Sequence, residues 1–271
     1  MKQNQIAQVE SIDPEIPYLR IDSEVVTKAK NTGDNAYIYG DQYHYNKIVR
    51  GSIPYSTKAF KIRGSIPNPP LSFAALLSEA LEKEGIINNG LSITELPIKK
   101  SDFNELLSLK SESLSKIVSA ANFESINLYC EAMLRLIGKK EKNEGSIASG
   151  LEVISEKLES EGIDKFSFRL EDGSGLSPRN SFAPSSFTLF LNGMVKKLGR
   201  ENLLNYIPQT GVSGTVSTFL EKKKSQKKFY LKSGSMGGVL SYTGLFQGAS
   251  GEWFTICFIS NNHSHGNRAV K

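Results

Sequence analysis

The sequence contains few cysteines and histidines, the residues that form disulfides and most zinc sites. Its 271 residues include two cysteines, Cys130 and Cys257, and three histidines. Two cysteines cannot build a disulfide framework, and no C-x-x-C or H-E-x-x-H string is present to predict a zinc site. A phosphate-binding G-x-x-x-x-G-K-[ST] loop is absent as well. We expect the cysteines to be small, buried hydrophobic side chains.

Long apolar segments are also missing. No run of about 18 apolar residues occurs, so the sequence predicts no membrane-spanning helix. The beginning, MKQNQIAQVESIDPEIP, lacks the apolar stretch of a signal peptide. With 39% hydrophobic and 23% charged residues, the composition is that of an ordinary globular protein with one or two domains.

The net charge is mildly positive, at +5. Much of the excess lies in one run, Lys222–Lys228, and such runs are usually solvated loops. A contact with an anionic polymer is the alternative interpretation. Because no aromatic residues interleave with the run to stack on bases, we expect no nucleic-acid partner.

Residues 1–100 have the pattern of a β-rich domain with one helix. Short segments rich in aromatic and β-branched residues predict strands at 16–21, 35–40 and 45–51. The pentapeptide RGSIP occurs at 50–54 and again at 63–67, and we expect a strand to run into each copy. Apolar residues at helical spacing predict a helix over 71–85, and residues 86–100 should add one or two short strands.

Residues 101–271 have a more helical pattern that ends in strands. Apolar periodicity predicts helices within 101–122, 125–140, 145–162 and 183–199. Alternating segments predict strands within 166–175, 227–246 and 252–262, with a turn near Ser250-Gly251. In the helix predicted at 125–140, the core candidates are Leu128, Met133, Leu136 and Ile137. Late strands combined with several helices indicate an α/β (α+β) layered domain.

Two short polar motifs are candidates for chemistry. In Ser125-Ile126-Asn127, at a helix start, the Ser and Asn side chains can project into one cleft near the positive end of the helix dipole. The alternative is an N-cap serine with a nearby asparagine. In Lys232-Ser233-Gly234-Ser235, a strand carries a Lys and a hydroxyl that suit a carboxylate. Gly234 permits close backbone approach, and an edge N–H can serve an oxyanion hole. The alternative is an edge strand with a solvated lysine.

Together the two motifs resemble those of a known enzyme class. An S-x-N on a helix, followed about 107 residues later by K-[ST]-G on a strand, is the motif order of the serine penicillin-recognising enzymes. Four longer segments resemble the class C penicillin-binding proteins, the D-alanyl-D-alanine carboxypeptidase/endopeptidases: 125–138, 171–184 (EDGSGLSPRNSFAP), 210–216 (TGVSGTV) and 231–246. The RGSIP and PNPPLSFAALLSEALEKEGI segments resemble the end of that family's accessory domain, so the resemblance covers most of the chain.

The resemblance implies a fold and a reaction. The fold would be a serine β-lactamase/penicillin-binding-protein-like transpeptidase domain, partial in this chain (101–271), preceded by part of a β-rich accessory domain (1–100). The reaction would be acyl transfer at the D-Ala-D-Ala end of peptidoglycan stem peptides. It would take place in the periplasm or elsewhere outside the cytoplasm, with β-lactams as inhibitors. Such a reaction requires no metal or cofactor.

The resemblance also implies roles for individual residues. Ser125 would relay a proton to the leaving amine, and Asn127 would hydrogen-bond the substrate amide. Lys232 would supply positive potential for the oxyanion and the terminal carboxylate. Ser233, where the family usually has Thr, would hydrogen-bond that carboxylate, and Ser235 would give one oxyanion-hole N–H. In the DGSG stretch, Asp172 and Ser174 are expected to support the cleft rather than to react.

The nucleophile of that family lies in an S-x-x-K motif, whose Lys is the general base. The sequence contains two such strings, Ser113–Lys116 and Ser225–Lys228, and we interpret both as chance matches. We therefore expect a C-terminal fragment of a longer enzyme, without the nucleophile and a terminal helix, and inactive alone. A non-catalytic homologue that binds peptidoglycan or a partner protein is the alternative.

Overall fold

The computed structural model describes residues 3–30, 32–56, 58–93, 104–105, 107–220 and 228–263. The chain divides into two compact units, Met1–Leu106 and Leu107–Lys271. Among the described residues, no helix is both long enough and apolar enough to cross a bilayer.

The first unit is built on a three-stranded sheet. Its strands are β1 (Arg20–Lys28), β2 (Asn35–Tyr39) and β3 (Asn46–Pro54). Their order is β1-β3-β2, with β1 parallel and β2 antiparallel to the central β3. Apolar residues that alternate along the strands form the core of this unit together with Ala7 from the segment before β1; they are Val25, Ala36, Val49 and Ile53. Helix α1 (Pro69–Lys83) follows, with its two prolines in the first turn, where the missing N–H groups cost nothing.

Several strand predictions for the first unit were wrong. Residues 16–19 form a turn, in which the Leu19 N–H donates to the Ile16 carbonyl, and the strand begins only at Arg20. The second RGSIP copy, at 63–67, is not a strand; the preceding Phe60 and Ile62 pack against the core without joining the sheet. Residues 86–93 contain no strand either, and 94–100 lie outside the described residues.

The second unit contains five helices among the residues that the structure describes. They are α2 (Leu114–Phe123), α3 (Asn127–Lys142), α4 (Ile147–Ser160), α5 (Pro184–Leu198) and the short α6 (Arg200–Leu204), which the sequence did not predict. The predicted helix within 101–122 begins only at Leu114, where the Ser113 side chain caps it by accepting from the Lys116 N–H.

Helices α3 and α4 pack closely through glycines. A Cβ at Gly150 would lie 2.2 Å from the Leu134 carbonyl oxygen, and one at Gly138 would lie 2.7 Å from the Gly150 nitrogen. Both positions therefore exclude a side chain.

This contact decides which residues of α3 are core. Leu134 is 2% exposed, whereas Leu128 and Leu136 are 73% and 62% exposed. The prediction that Leu128 and Leu136 belong to the core was wrong, because the apolar stripe is wider than the face that α4 covers. Met133 and Ile137 are half-buried.

Three strands of the second unit form an antiparallel sheet beside these helices. Its members are β6 (Phe229–Met236), β7 (Val239–Gln247) and β8 (Trp253–Ser260), in that order. A two-residue Gly237-Gly238 turn joins β6 to β7, and the turn that joins β7 to β8 contains Ser250-Gly251, as predicted. Buried residues on the sheet pack with others from the preceding loops and helices: Val216, Leu231, Leu240 and Tyr242 in one cluster, Leu203, Ile207 and Leu245 in another.

The strand predicted within 166–175 is much shorter. Only β4 (Phe168–Arg169) forms, paired with β5 (Ser181–Phe182). The residues between them form a loop that contains the DGSG stretch.

Candidate active site

Lys232 and Ser125 meet in space. The Lys232 Nζ donates a hydrogen bond to the Ser125 Oγ at 2.9 Å and another to the Ser233 carbonyl oxygen at 2.7 Å. Strand β6 thus carries its Lys side chain to the residue that precedes the N-cap of α3. The two motifs that the sequence singled out form one site.

Ser125 is not the cap of its helix. The N-cap of α3 is Ile126, which makes no side-chain cap hydrogen bond. Ser125 has a φ of 55°, in the left-handed region that residues other than glycine rarely adopt. The interpretation of Ser125 as an ordinary N-cap is therefore wrong. Its unusual backbone directs the hydroxyl to Lys232, and such conformations are concentrated at functional sites.

The environment of Lys232 disfavours its charged form relative to that of a solvent-exposed lysine. Burial lowers the pKa of the Lys232 ammonium, because desolvation penalises its charge. The nearby Cys130 thiol lies in the first turn of α3 and is half-buried and free. Burial raises the pKa of Cys130, and the positive charge of Lys232 opposes that rise. Cys257, the other cysteine, is also half-buried and free, on β8.

Asn127 is the first residue of α3 and lies at the surface of the site. Its side chain makes no hydrogen bond within the described ranges, so it can receive a ligand. The helix N-terminus at this point also presents N–H groups and the positive end of the helix dipole.

Strand β6 lies at one edge of its sheet. The Leu231 N–H points outward and donates to the Pro208 carbonyl. Because N–H groups along a strand alternate between its two edges, Ser233 and Ser235 direct theirs to the same outer edge. The Ser235 N–H is thus oriented as an oxyanion-hole donor would be.

Gly234 is tightly packed, though not in the way predicted. A Cβ at this position would lie 2.5 Å from the Ser241 Oγ on the neighbouring strand β7. A side chain, rather than another backbone, therefore occupies the space beside it.

A third hydroxyl joins the site from a different segment. The Thr215 Oγ1 lies 2.7 Å from the Ser233 Oγ. Thr215 belongs to a single 3-10 turn, Gly214–Val216, whose Val216 is 1% exposed in the core on the sheet. The sequence marked this segment only as part of a G-x-x-GT stretch and gave Thr215 no role.

Hydrogen bonds between its own residues stabilise the DGSG loop. The Asp172 carboxylate accepts hydrogen bonds from the Gly175 and Ser177 N–H groups, both at 2.6 Å, and from the Asn180 amide at 3.1 Å. The Ser174 N–H points the other way, to Glu131. Neither Asp172 nor Ser174 has a hydrogen bond to Ser125 or Lys232.

Glu131, which sequence reasoning missed, ties this loop to α3. Its Oε1 accepts from the Gly173 N–H at 3.2 Å and the Ser174 N–H at 3.0 Å. A Cβ at Gly173 would lie 2.7 Å from the Cys130 carbonyl oxygen, so the loop packs directly on the helix. No local sequence pattern marks Glu131 for this contact, because its partners lie 42 and 43 residues away in the sequence.

The S-x-x-K string at Ser113–Lys116 is not arranged as a nucleophile and its base. Ser113 caps α2, while the Lys116 Nζ pairs with the Glu112 carboxylate at 2.9 Å. The other string, at Ser225–Lys228, lies largely outside the described residues, as does the lysine run. In the described part of the chain, no group of His, Cys, Asp and Glu side chains could hold a metal ion.

A serine and a lysine from separate motifs that meet at an edge strand are typical of the penicillin-recognising serine enzymes. The fold agrees, since the structure is similar to penicillin binding protein 4 from Haemophilus influenzae. The TM-score is 0.77 at 22% identity, covering 98% of this chain and 59% of the other. The prediction of a penicillin-binding-protein-like fold is confirmed.

The chain belongs to the D-Ala-D-Ala carboxypeptidase 3 (S13) family, whose sequence model matches residues 4–271. It is 25% identical over 253 residues to the D-alanyl-D-alanine carboxypeptidase of Actinomadura sp. (strain R39), covering 91% of this chain and 47% of the relative. It is 27% identical over 226 residues to the D-alanyl-D-alanine carboxypeptidase DacB of Haemophilus influenzae, covering 82% and 47%. The chain thus spans about half the length of these curated relatives. The Haemophilus protein has also been solved with a bound β-lactam.

Proposed function

We propose that this chain contributes the S-x-N and K-S-G side of a serine D-Ala-D-Ala carboxypeptidase/endopeptidase site that acts on peptidoglycan stem peptides. The observation that carries the proposal is the hydrogen bond from Lys232, on the edge strand β6, to Ser125. Family membership supports the reaction class. Because peptidoglycan lies outside the cytoplasm, the proposal also locates the whole protein there, in the periplasm where the cell has one.

The proposed chemistry is acyl transfer. A serine Oγ attacks the carbonyl carbon of the penultimate D-Ala, and the peptide C–N bond breaks. The terminal D-Ala leaves as an amine, taking the proton that came from the attacking hydroxyl. Water then cleaves the acyl-enzyme, which regenerates the serine and releases the shortened peptide. A β-lactam would acylate the same serine, and opening of its ring would replace loss of D-Ala.

The described residues fit the recognition and proton-transfer parts of this scheme. Ser125 holds a hydroxyl against Lys232, whose lowered pKa favours exchange of a proton within the pair. The Lys232 charge and the Ser233 hydroxyl suit the terminal carboxylate, and the Ser235 N–H suits the oxyanion. Asn127 lies at the start of α3, where its amide can bind the substrate amide.

The nucleophile of this scheme is not Ser113, whose side chain caps α2 and whose Lys116 is paired with Glu112. That arrangement also favours a second candidate function, a non-catalytic homologue that binds peptidoglycan or a partner protein. The two functions share the recognition site and differ in whether a serine becomes acylated.

Recognition is tested by calorimetric titration with a diacetylated Lys-D-Ala-D-Ala tripeptide. We expect the chain to bind it in preference to the same peptide ending in L-Ala-L-Ala. Lys232→Met should weaken binding roughly 10-fold or more, because a charge-assisted hydrogen bond contributes about 1.5–3 kcal/mol. The same change at the exposed Lys83 of α1 is the matched control. Equal binding of the D and L peptides would contradict the proposal.

Acylation is tested by incubation with a fluorescent penicillin, followed by intact mass measurement and by peptide mapping to locate any adduct. We expect no adduct on Ser113, Ser125 or Ser225 of this chain. An adduct at Ser125 would overturn its role as a proton relay, and one at Ser113 or Ser225 would identify the nucleophile that we have excluded.

A further inference from the structure

The geometry assigns to Thr215 the role of a positioning residue that fixes the Ser233 hydroxyl toward a ligand carboxylate. This inference rests on the proposed function and goes beyond it, since none of the motifs that define the site includes Thr215 as a partner of Ser233. It begins from a weakness in the site. Serine lacks a branch at Cβ, so its hydroxyl rotates among three rotamers more freely than that of threonine.

The contact between the two hydroxyls removes that freedom. Their oxygens are 2.7 Å apart, a normal O–H to O hydrogen-bond distance. A hydroxyl has one donor and two acceptor sites. When Thr215 donates to Ser233, the Ser233 proton stays available for a carboxylate; in the reverse arrangement, the Thr215 proton does. The pair therefore always presents one donor, and its position is set by both residues.

Thr215 can act in this way because its own backbone is held firmly. The next residue, Val216, is buried against Leu231, Leu240 and Tyr242 of the sheet. The preceding Gly214 has a φ of +59°, and a Cβ there would lie 2.7 Å from the Phe123 carbonyl oxygen. The Gly211 N–H also donates to the Val216 carbonyl at 3.1 Å, which closes the turn. The Thr215 side chain itself is exposed, so replacing it should leave the fold intact.

The first test needs no ligand. The χ1 angle of Ser233 is measured from three-bond couplings by NMR. We expect a single rotamer in the unmodified chain, averaging among rotamers in Thr215→Val, and recovery of the single rotamer in Thr215→Ser, which keeps the hydroxyl. Averaging already present in the unmodified chain would overturn the inference, whatever the peptide results.

The second test compares Lys-D-Ala-D-Ala, diacetylated, with its C-terminal amide. Thr215→Val should weaken binding of the acid by about 2- to 10-fold, the range of one hydrogen bond, and leave the amide unchanged. In a Ser233→Thr background, where the branched Cβ restricts χ1, the same change should cost less than in the native background. Equal losses for acid and amide, or an undiminished loss in that background, would contradict the inference.

The two proposals fail in different ways. A chain that binds neither peptide, yet shows one Ser233 rotamer that Thr215→Val releases, would refute the proposed function and retain the positioning role. A chain that prefers the acid peptide, with Thr215→Val indistinguishable from it in both tests, would retain the function and refute the positioning role.

Discussion

The Lys232 Nζ donates to the Ser125 Oγ at 2.9 Å across 107 residues of sequence. This contact joins a strand edge to a helix start and gathers a desolvated lysine, a strained serine and an asparagine open to a ligand in one place. The rest of the site is arranged around it, with Thr215 beside Ser233 and Glu131 beneath the DGSG loop.

The first prediction concerns the protonation of Lys232. Because burial lowers its pKa, Lys232 should become a neutral amine, and so reactive, at lower pH than an ordinary lysine. Competitive acetylation followed by mass spectrometry gives the pH midpoint of labelling for each lysine. The midpoint, rather than the rate, is the readout, since burial also slows access.

Lys83 provides an internal reference for this experiment, because its hydrogen bond to Glu79 raises its pKa. We expect the midpoint of Lys232 to fall below that of Lys83. Ser125→Ala should lower it further, since it removes an acceptor for the ammonium. Coincident midpoints for the two lysines would show that Lys232 is not desolvated.

The second prediction concerns Glu131 and the DGSG loop. Glu131→Ala leaves the Gly173 and Ser174 N–H groups without their acceptor and should lower the free energy of unfolding by about 1–3 kcal/mol. Glu131→Gln keeps one acceptor oxygen and should cost less. Urea denaturation measures both, and Glu124→Ala, at an exposed position just before α3, is the control. Equal effects of Glu131→Ala and Glu124→Ala would rule out the brace.

The third prediction separates the two sides of α3. Leu134→Ala should cost about 2–5 kcal/mol of stability, as expected for a fully buried leucine. The same change at Leu136, which is 62% exposed, should stay within about 0.5 kcal/mol. Urea denaturation midpoints of the two variants measure these losses. A larger loss for Leu136→Ala than for Leu134→Ala would show that Leu136 is the core residue, as the apolar periodicity suggested.

This pair of leucines illustrates what the sequence could and could not predict. Periodicity located α3, α4 and α5 to within two residues at each end, and alternation located β6 to β8. It could not show which part of a broad apolar stripe meets a neighbour, because the close approach of Gly138 and Gly150 decides that in three dimensions. The strand prediction at the second RGSIP copy was wrong for a similar reason, because a strand needs a neighbouring strand to pair with as well as a suitable residue pattern.

The candidate site divides in the same way. Ser125, Asn127 and Lys232 to Ser235 belong to motifs whose order and spacing can be read from the sequence, so the sequence alone predicts them as candidates. Thr215 and Glu131 act through contacts with residues that are distant in sequence, and neither has a local pattern that predicts those contacts. The φ of 55° at Ser125 could not be predicted from the sequence either, because a serine before a helix usually indicates an N-cap.

The last prediction concerns stability in acid. The Glu161 carboxylate, at the end of α4, pairs with Lys157 at 2.9 Å and with Lys197 of α5. Hydrogen bonds from Lys157 and then Lys197 lower the pKa of Glu161 to about 2. A carboxyl whose pKa is depressed in the folded state stabilises the fold above its unfolded pKa, and this contribution disappears as the pH falls toward the folded value.

Glu161→Gln should therefore be less stable than the native chain near neutral pH, and the difference should shrink between about pH 4.5 and about pH 2. Urea denaturation at about pH 6 and about pH 3 measures the difference, with Glu159→Gln, in the same last turn of α4 and without an ion pair in the described part of the chain, as the control. A difference that is the same at both pH values would show that the Glu161 pairs do not form in solution.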